Sequence, residues 1–201
     1  RVMVKVSEHT PQTGQWLADV LHGCLPADVC QVVQGGVDVA QAFCALPFDH
    51  LLFTGATALG PAVMGAAAQH LTPVTLELGG KSPAIVGKDA DIQNAARRIA
   101  VGKWRHAGQT CIAPDYVLVE QSKHDELVAA LQQQAAKMYP DAISNSAYSS
   151  IINSRQFERL SRLAEEVQAG GAVLHGYSAS QQPQPQPQGQ AMRHRIAPTV
   201  V

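Results

Sequence analysis

The sequence predicts an α/β fold. Short apolar runs of four or five residues alternate with stretches of helical periodicity through the first two thirds of the chain. Glycine-containing turns such as Gly35-Gly36 and Gly55 separate them. Strands that alternate with helices of this length make βαβ units and a parallel sheet. The composition agrees with a soluble globular protein: 46% of the 201 residues are hydrophobic and 15% are charged. That supplies enough apolar material for a sizeable core.

The elements follow in order. Val2–Val6 alternates as a strand. Pro11–His22 has helical periodicity, with Trp16, Leu17, Val20 and Leu21 on one face, Thr10 as N-cap and Pro11 at the first helical position. Val29–Val33 is a strand, Val37–Ala45 a short helix, His50–Phe53 a strand and Ala58–His70 an alanine-rich helix. Val74–Leu78 and Ala84–Val86 are strands, parted by Gly79-Gly80-Lys81-Ser82-Pro83. Asp91 caps a helix that runs to His106. Tyr116–Glu120 is a strand, and Ser122 with Asp125 has capping-box spacing for the next helix. Asn153–Gln168 is a long amphipathic helix with Phe157, Leu160, Leu163 and Val167 on one face. Gln181–Gln190 alternates Gln and Pro and reads as an extended surface insertion, with a partner-binding tract as the other reading.

Charge and composition exclude several function classes. A net charge of −1 gives no attraction to nucleic acid or to an anionic membrane surface. No apolar run approaches the roughly 20 residues that span a bilayer. Cys24, Cys30, Cys44 and Cys111 form no CxxC pair, and the eight histidines show no metal-ligand spacing, so no metal site is expected. Few, unpatterned cysteines suit a reducing cytoplasm. The chain starts at Arg1 without Met and stops in a strand-like run at Val201, and it reads as a piece of a longer chain.

Three segments could carry chemistry. In Gly108-Gln109-Thr110-Cys111 the cysteine follows a helix and a glycine turn, where its sulfur can face a cleft. A thiolate is a strong nucleophile once its pKa is lowered or a base is near. For a bare cysteine a buried structural role is the commoner one. In Leu76-Glu77-Leu78-Gly79-Gly80-Lys81-Ser82-Pro83 a glutamate ends a buried-looking strand. An apolar setting raises a carboxyl pKa and makes a general base, whereas an ion pair with Lys81 is the structural alternative. Phe53-Thr54-Gly55-Ala56-Thr57-Ala58-Leu59-Gly60 is a strand, a turn and a helix N-terminus, a geometry that attracts phosphate. It lacks the GxGxxG spacing, and an ordinary strand–helix turn fits it as well.

Taken together, these three segments resemble, in order and spacing, the consecutive motifs of the aldehyde dehydrogenase family. Lys5-Val6-Ser7-Glu8 resembles that family's K-x-S-E segment. The run Cys111-Ile112-Ala113-Pro114-Asp115-Tyr116 is similar to the branch acting on fatty, aromatic and coniferyl aldehydes. Thr72-Pro73-Val74-Thr75 and Ser150-Ile151-Ile152-Asn153-Ser154-Arg155-Gln156-Phe157-Glu158-Arg159-Leu160 resemble the coniferyl aldehyde members of that branch.

The resemblance implies part of a Rossmann-type parallel sheet followed by part of an α/β catalytic domain. Residues 1–79 would be the C-terminal part of an NAD-binding domain and residues 80–201 the N-terminal part of a catalytic domain. It further implies NAD-dependent oxidation of an aldehyde, with an aromatic aldehyde such as coniferyl aldehyde as the leading substrate and aliphatic aldehydes as the alternative. Cys111 would attack the aldehyde carbon, its backbone N–H would serve the oxyanion, and Glu77 would act as general base. Lys5, Ser7 and Glu8 would hold the adenosine ribose, and a carboxylate at Glu8 repels a 2′-phosphate, which favours NAD over NADP. Gly55, Ala56 and Gly60 would lie near the pyrophosphate, and Leu78 and Gly79 near the nicotinamide. A homodimer or homotetramer is implied for a full-length enzyme. A non-catalytic binding protein and a cofactor-free thioester or ester hydrolase are the competing functions; intact Cys111 and Glu77 oppose the first, and intact Lys5 and Glu8 the second.

The chain departs from the family pattern at Ala56, where serine is usual. The family's P-W-N and E-I-F-G-P segments do not occur in the sequence. The chain alone is therefore expected to be inactive.

Overall fold

The computed structural model describes residues 1–176 and 194–201; the Gln/Pro tract at 181–190 lies outside the described residues. The chain divides into two compact units, Arg1–Gly79 and Gly80–Val201. The architecture is α/β, and every strand ladder among the described residues is parallel. No helix among them is long and apolar enough to cross a membrane.

In the first unit, strand β1 (Val2–Lys5) pairs with β2 (Cys30–Val33), joined through helix α1 (Pro11–Cys24). Helix α2 (Val37–Cys44) leads to β3 (Leu51–Gly55), which pairs with β4 (Val74–Leu78) across helix α3 (Gly60–Ala68). Alternation decides the core. Leu51 and Phe53 of β3 and Val74 and Leu76 of β4 turn toward Val63 and Ala67 of α3, while Leu52 and Glu77 are exposed. Thr72 is buried and donates its hydroxyl to the Phe48 carbonyl at 2.8 Å, tying the end of the crossover to the start of β3.

Helix α1 corrects two expectations. Its inward residues are Gly14 and Ala18, whereas Trp16 is 63% exposed. A β-carbon at Gly14 would stand 2.8 Å from Val6 Cγ2, so the small residue sets the close approach of helix to strand. Pro11 does open the helix, but Thr10 makes no side-chain cap bond.

In the second unit, β5 (Pro83–Val86) and β6 (Tyr116–Val119) pair through helix α4 (Ile92–Trp104). Helix α5 (His124–Met138) packs on α4, and the core joins Ile92, Ala96, Ala100 and Trp104 to Leu127, Ala130 and Leu131. Alanines at four-residue spacing flatten α4 and let α5 approach. Asp91 caps α4 by accepting from Asn94 N–H at 3.1 Å, and Asn153 caps α6 (Ser154–Ala169) by accepting from Gln156 N–H at 2.9 Å. The capping box at Ser122 does not form. The first helical residue is His124, and the Ser122 hydroxyl donates instead to Glu120 Oε1 at 3.0 Å. A 3₁₀ turn over Gln121–Lys123 takes up the residues that a cap at Ser122 would have ordered. On α6, Phe157, Leu160 and Val167 are half-buried and Leu163 is exposed.

Candidate active site

The first unit places its candidate residues at strand ends. β1 ends at Lys5, whose ammonium meets Glu8 Oε2 at 3.0 Å across a tight turn. The Ser7 hydroxyl holds that turn by accepting from the His9 N–H at 3.2 Å. A hydrogen bond from its own backbone amide, reinforced by one from Lys5, lowers the Glu8 carboxyl below the usual carboxylate range. Glu8 is thereby kept as an exposed anion that can accept from hydroxyl groups.

At the ends of β3 and β4, Gly55 stands beside Leu78 and Thr54 beside Glu77. Glu77 is exposed, so the apolar setting expected from its leucine neighbours does not hold. The reason is the two-residue period of a strand: Leu76 and Leu78 point to α3 and Glu77 points away. The alternative ion pair with Lys81 does not form either, since Lys81 pairs with Asp115. Beyond Gly55 the chain runs through exposed Ala56 and the 3₁₀ turn Thr57–Leu59 into α3. Gly60 is buried, and a β-carbon there would meet Leu76 Cδ1 at 3.3 Å and Leu78 Cδ1 at 3.5 Å. Its absent side chain therefore serves helix–strand packing. Gly79 is exposed with nothing within 4 Å of a β-carbon.

These groups suit a dinucleotide. Lys5 and Glu8 offer a donor and an acceptor to hydroxyls, the turn at Gly55 and Ala56 opens a helix whose N-terminus favours phosphate, and Gly79 leaves room beside the backbone.

The second unit carries Cys111. Helix α4 ends at buried Trp104, and the backbone then reverses through His106 (φ 57°), Ala107 (φ 53°) and Gly108 (φ 75°). Left-handed conformations are uncommon outside glycine and cost of order 1–3 kcal/mol for each strained residue. At Gly108 a β-carbon would also approach the Lys103 carbonyl to 3.2 Å, so glycine is required twice over. This reversal delivers Cys111 to an exposed turn closed by Ala113 N–H on the Thr110 carbonyl at 3.0 Å. Cys111 is thus exposed in this chain, unlike the buried cysteine of the structural alternative. Cys30 is the buried one, and Cys44 is half-buried with its thiol pushed up by burial, partly offset by the Lys5 ammonium.

The Cys111 turn is held from the Gly80–Ser82 side. Asp115 N–H donates to the Ser82 carbonyl at 2.8 Å, and the Asp115 carboxylate pairs with Lys81. A β-carbon at Gly80 would lie 3.7 Å from the Cys111 carbonyl. Glu77 belongs to the first unit and Cys111 to the second. Sequence reasoning missed Gln109, Asp115 and Arg195. Gln109 and Asp115 gave a signal as polar residues of the runs around Cys111, and Arg195 gave none.

Comparison with known proteins identifies the class. The family model described as the aldehyde dehydrogenase family matches residues 1–201. A probable coniferyl aldehyde dehydrogenase of Pseudomonas aeruginosa is 52% identical over 174 residues, which is 87% of this chain and 37% of the relative. The coniferyl aldehyde dehydrogenase of a Pseudomonas species is 43% identical over 202 residues, 100% of this chain and 41% of the relative. Among solved structures, an aldehyde dehydrogenase C mutant from Pseudomonas syringae in complex with NAD+ and octanal superposes with a TM-score of 0.84 at 30% identity, over 98% of this chain and 41% of that one. This chain belongs to the aldehyde dehydrogenase family. It spans about two fifths of the length of these relatives.

Proposed function

We propose that a protein carrying this chain at the length of its relatives oxidises an aldehyde to the carboxylic acid, with Cys111 as nucleophile and Glu77 as general base. The observation that carries the reading is the presentation of Cys111, exposed at the tip of a turn built from left-handed residues and cross-braced on both sides. Cys24, at the end of α1, is exposed as well, so the braced left-handed turn, and not exposure alone, singles out Cys111.

The Cys111 thiolate forms a bond to the aldehyde carbon, and the carbonyl oxygen takes the negative charge opposite the Cys111 N–H. Bound nicotinamide supplies the acceptor for the hydride that leaves this carbon. A thioester on Cys111 remains. Glu77 takes a proton from water, the water oxygen attacks the thioester carbon, and the thiolate departs with release of the acid. The first unit, Arg1–Gly79, would then be part of the cofactor domain and the second, Gly80–Val201, part of the catalytic domain.

NAD is the proposed cofactor. The Lys5–Glu8 pair supports it, since the Glu8 anion would repel a 2′-phosphate. A Glu8→Gln protein should bind NAD about tenfold more weakly while losing discrimination against NADP. Equal NAD/NADP ratios in wild type and variant, measured by calorimetry, would remove Glu8 from the cofactor site. Coniferyl aldehyde is the proposed substrate, by likeness to the two Pseudomonas relatives. An aliphatic aldehyde is the second reading, favoured by the octanal in the P. syringae complex. A cytoplasmic homodimer or homotetramer is the proposed working state. NADH formation with coniferyl aldehyde and octanal, measured on a protein at the length of the relatives, tests the function, and no NADH from either aldehyde would refute it.

A further inference from the structure

Gln109 stands two residues before Cys111, and its side chain reaches a distant segment of the second unit. Its Nε2 donates to the His106 carbonyl at 3.1 Å and to the Ser150 carbonyl at 3.1 Å. Its Oε1 accepts from the Ile152 N–H at 3.0 Å. A carboxamide has two donors and an acceptor oxygen, and all three functions are used here. The first bond closes the left-handed turn at His106 from within, and the backbone N–H of Gln109 adds a second bond to the same carbonyl at 3.2 Å. The other two fasten that turn to residues 150–152.

Residues 150–152 are anchored in turn. Ile151 is buried, and its N–H donates to the His194 carbonyl at 2.7 Å. Arg195 is buried, and its Nη1 donates to the carbonyls of Ile143 (3.0 Å) and Asn145 (2.8 Å) while its Nε meets Ser150 Oγ at 3.3 Å. Among the described residues no carboxylate pairs with Arg195. Carbonyl dipoles and a hydroxyl therefore solvate this guanidinium, an arrangement that fixes loop backbone. The Cys111 turn is tied through one glutamine to this hydrogen-bonded anchor.

We infer that Gln109 is a positioning residue, which holds the Cys111 turn in register with residues 150–152 so that the sulfur is presented for attack. The inference rests on the reading of Cys111 as nucleophile. Gln109→Met keeps the side-chain length and loses all three bonds. Gln109→Glu keeps the shape and the acceptor for Ile152 but sets a carboxylate against two carbonyls. Both proteins, at the length of the relatives, should lose kcat on the order of 10- to 100-fold per reactive thiol, with KM for NAD unchanged. Reactive thiol is counted as Cys111 labelled by iodoacetamide in protein that gel filtration has isolated in the folded state, so a mere loss of folded protein is divided out.

A measurement on the unmutated protein needs no variant to fold. Ile152 is exposed and lies outside any strand or helix, so Gln109 Oε1 alone would protect its amide. Its hydrogen exchange should run at least about tenfold slower than in an unstructured peptide. Exchange of Ile152 at the unstructured rate, or full kcat per reactive thiol in Gln109→Met, would overturn the inference. Turnover retained by Cys111→Ser would overturn the reading of the site itself, and this inference with it; an inactive Cys111→Ser beside a fully active Gln109→Met would overturn the inference alone.

Discussion

The two units hold their candidate residues by different means. In the first, Lys5, Glu8, Gly55 and Gly79 stand at strand ends or just beyond them, with short-range links alone among the described residues; Glu8 meets Lys5 and its neighbour His9, and Gly79 has open space around it. In the second, Cys111 sits on a turn that three left-handed residues create and that Gln109, Asp115 and Lys81 lock. On the proposed function, the contrast follows from what each would hold. A long polar ligand needs an open approach and backbone groups already fixed by strands and a helix end. A nucleophile needs a single atom held to a fraction of an ångström, which costs strain and the side chains that retain it.

Cys111→Ser strikes the braced side hardest. In a protein at the length of the relatives, aldehyde oxidation should fall by on the order of 10³-fold or more, because a hydroxyl without its own base is a poor nucleophile, while NAD affinity stays unchanged. Stopped-flow NADH formation and calorimetry read the two quantities, and a simultaneous loss of NAD affinity would deny the separation of roles.

Glu77→Gln comes next. Steady-state turnover should drop roughly 10²- to 10⁴-fold while the first turnover of NADH persists as a burst, since the amide takes no proton from water. Equal loss of burst and steady state would move Glu77 to activation of the thiol.

Tyr148→Phe tests the anchor behind the cysteine turn. Tyr148 is buried and donates to the Ile196 carbonyl at 3.0 Å. Burial first, and neighbouring Tyr139 second, push its hydroxyl up to about 12, against the opposing pull of Arg195. Below pH 10 the hydroxyl is neutral whether the chain is folded or not. Between pH 10 and about 12 only the unfolded chain ionises, so stability on the order of 2–3 kcal/mol drains away as pH rises through that window. In Tyr148→Phe this loss should vanish, at a cost near neutral pH of about 1 kcal/mol for the missing hydrogen bond. Urea melts at pH 8 and pH 11 decide it; an unchanged pH dependence would contradict the buried, neutral tyrosine.

Asn153→Ala carries the smallest effect. Loss of the α6 cap should destabilise the second unit by about 1 kcal/mol. Hydrogen exchange of the α6 amides reads it, and unchanged protection there would contradict the cap.

Much of this was legible in the sequence because it is local. Strand β4 lies where its apolar run places it, and Asp91 and Asn153 cap the helices they precede. The errors also have local causes. On α1 the expected face of Trp16, Leu17, Val20 and Leu21 divides: Leu17 and Leu21 are half-buried, Trp16 and Val20 are exposed, and the buried residues are the small Gly14 and Ala18. Glu77 looked buried because its neighbours are leucines, although strand alternation turns it outward. What the sequence hid is long-range. Nothing in a local pattern pairs Lys81 with Asp115, joins Gln109 to Ser150 and Ile152, or sends Arg195 back to Ile143 and Asn145. Such cross-links depend on tertiary placement, and they are the bonds that fix the cysteine turn.

The proposed function requires that Cys111 become covalently acylated during turnover. Glu77→Gln protein at the length of the relatives, mixed with NAD and coniferyl aldehyde, quenched in acid within the burst and digested, should yield the peptide containing Cys111 heavier by one coniferyl-derived acyl group. Cys24, Cys30 and Cys44 should stay unmodified. An acyl group on any other residue, or a full burst of NADH with Cys111 left free, would contradict the account.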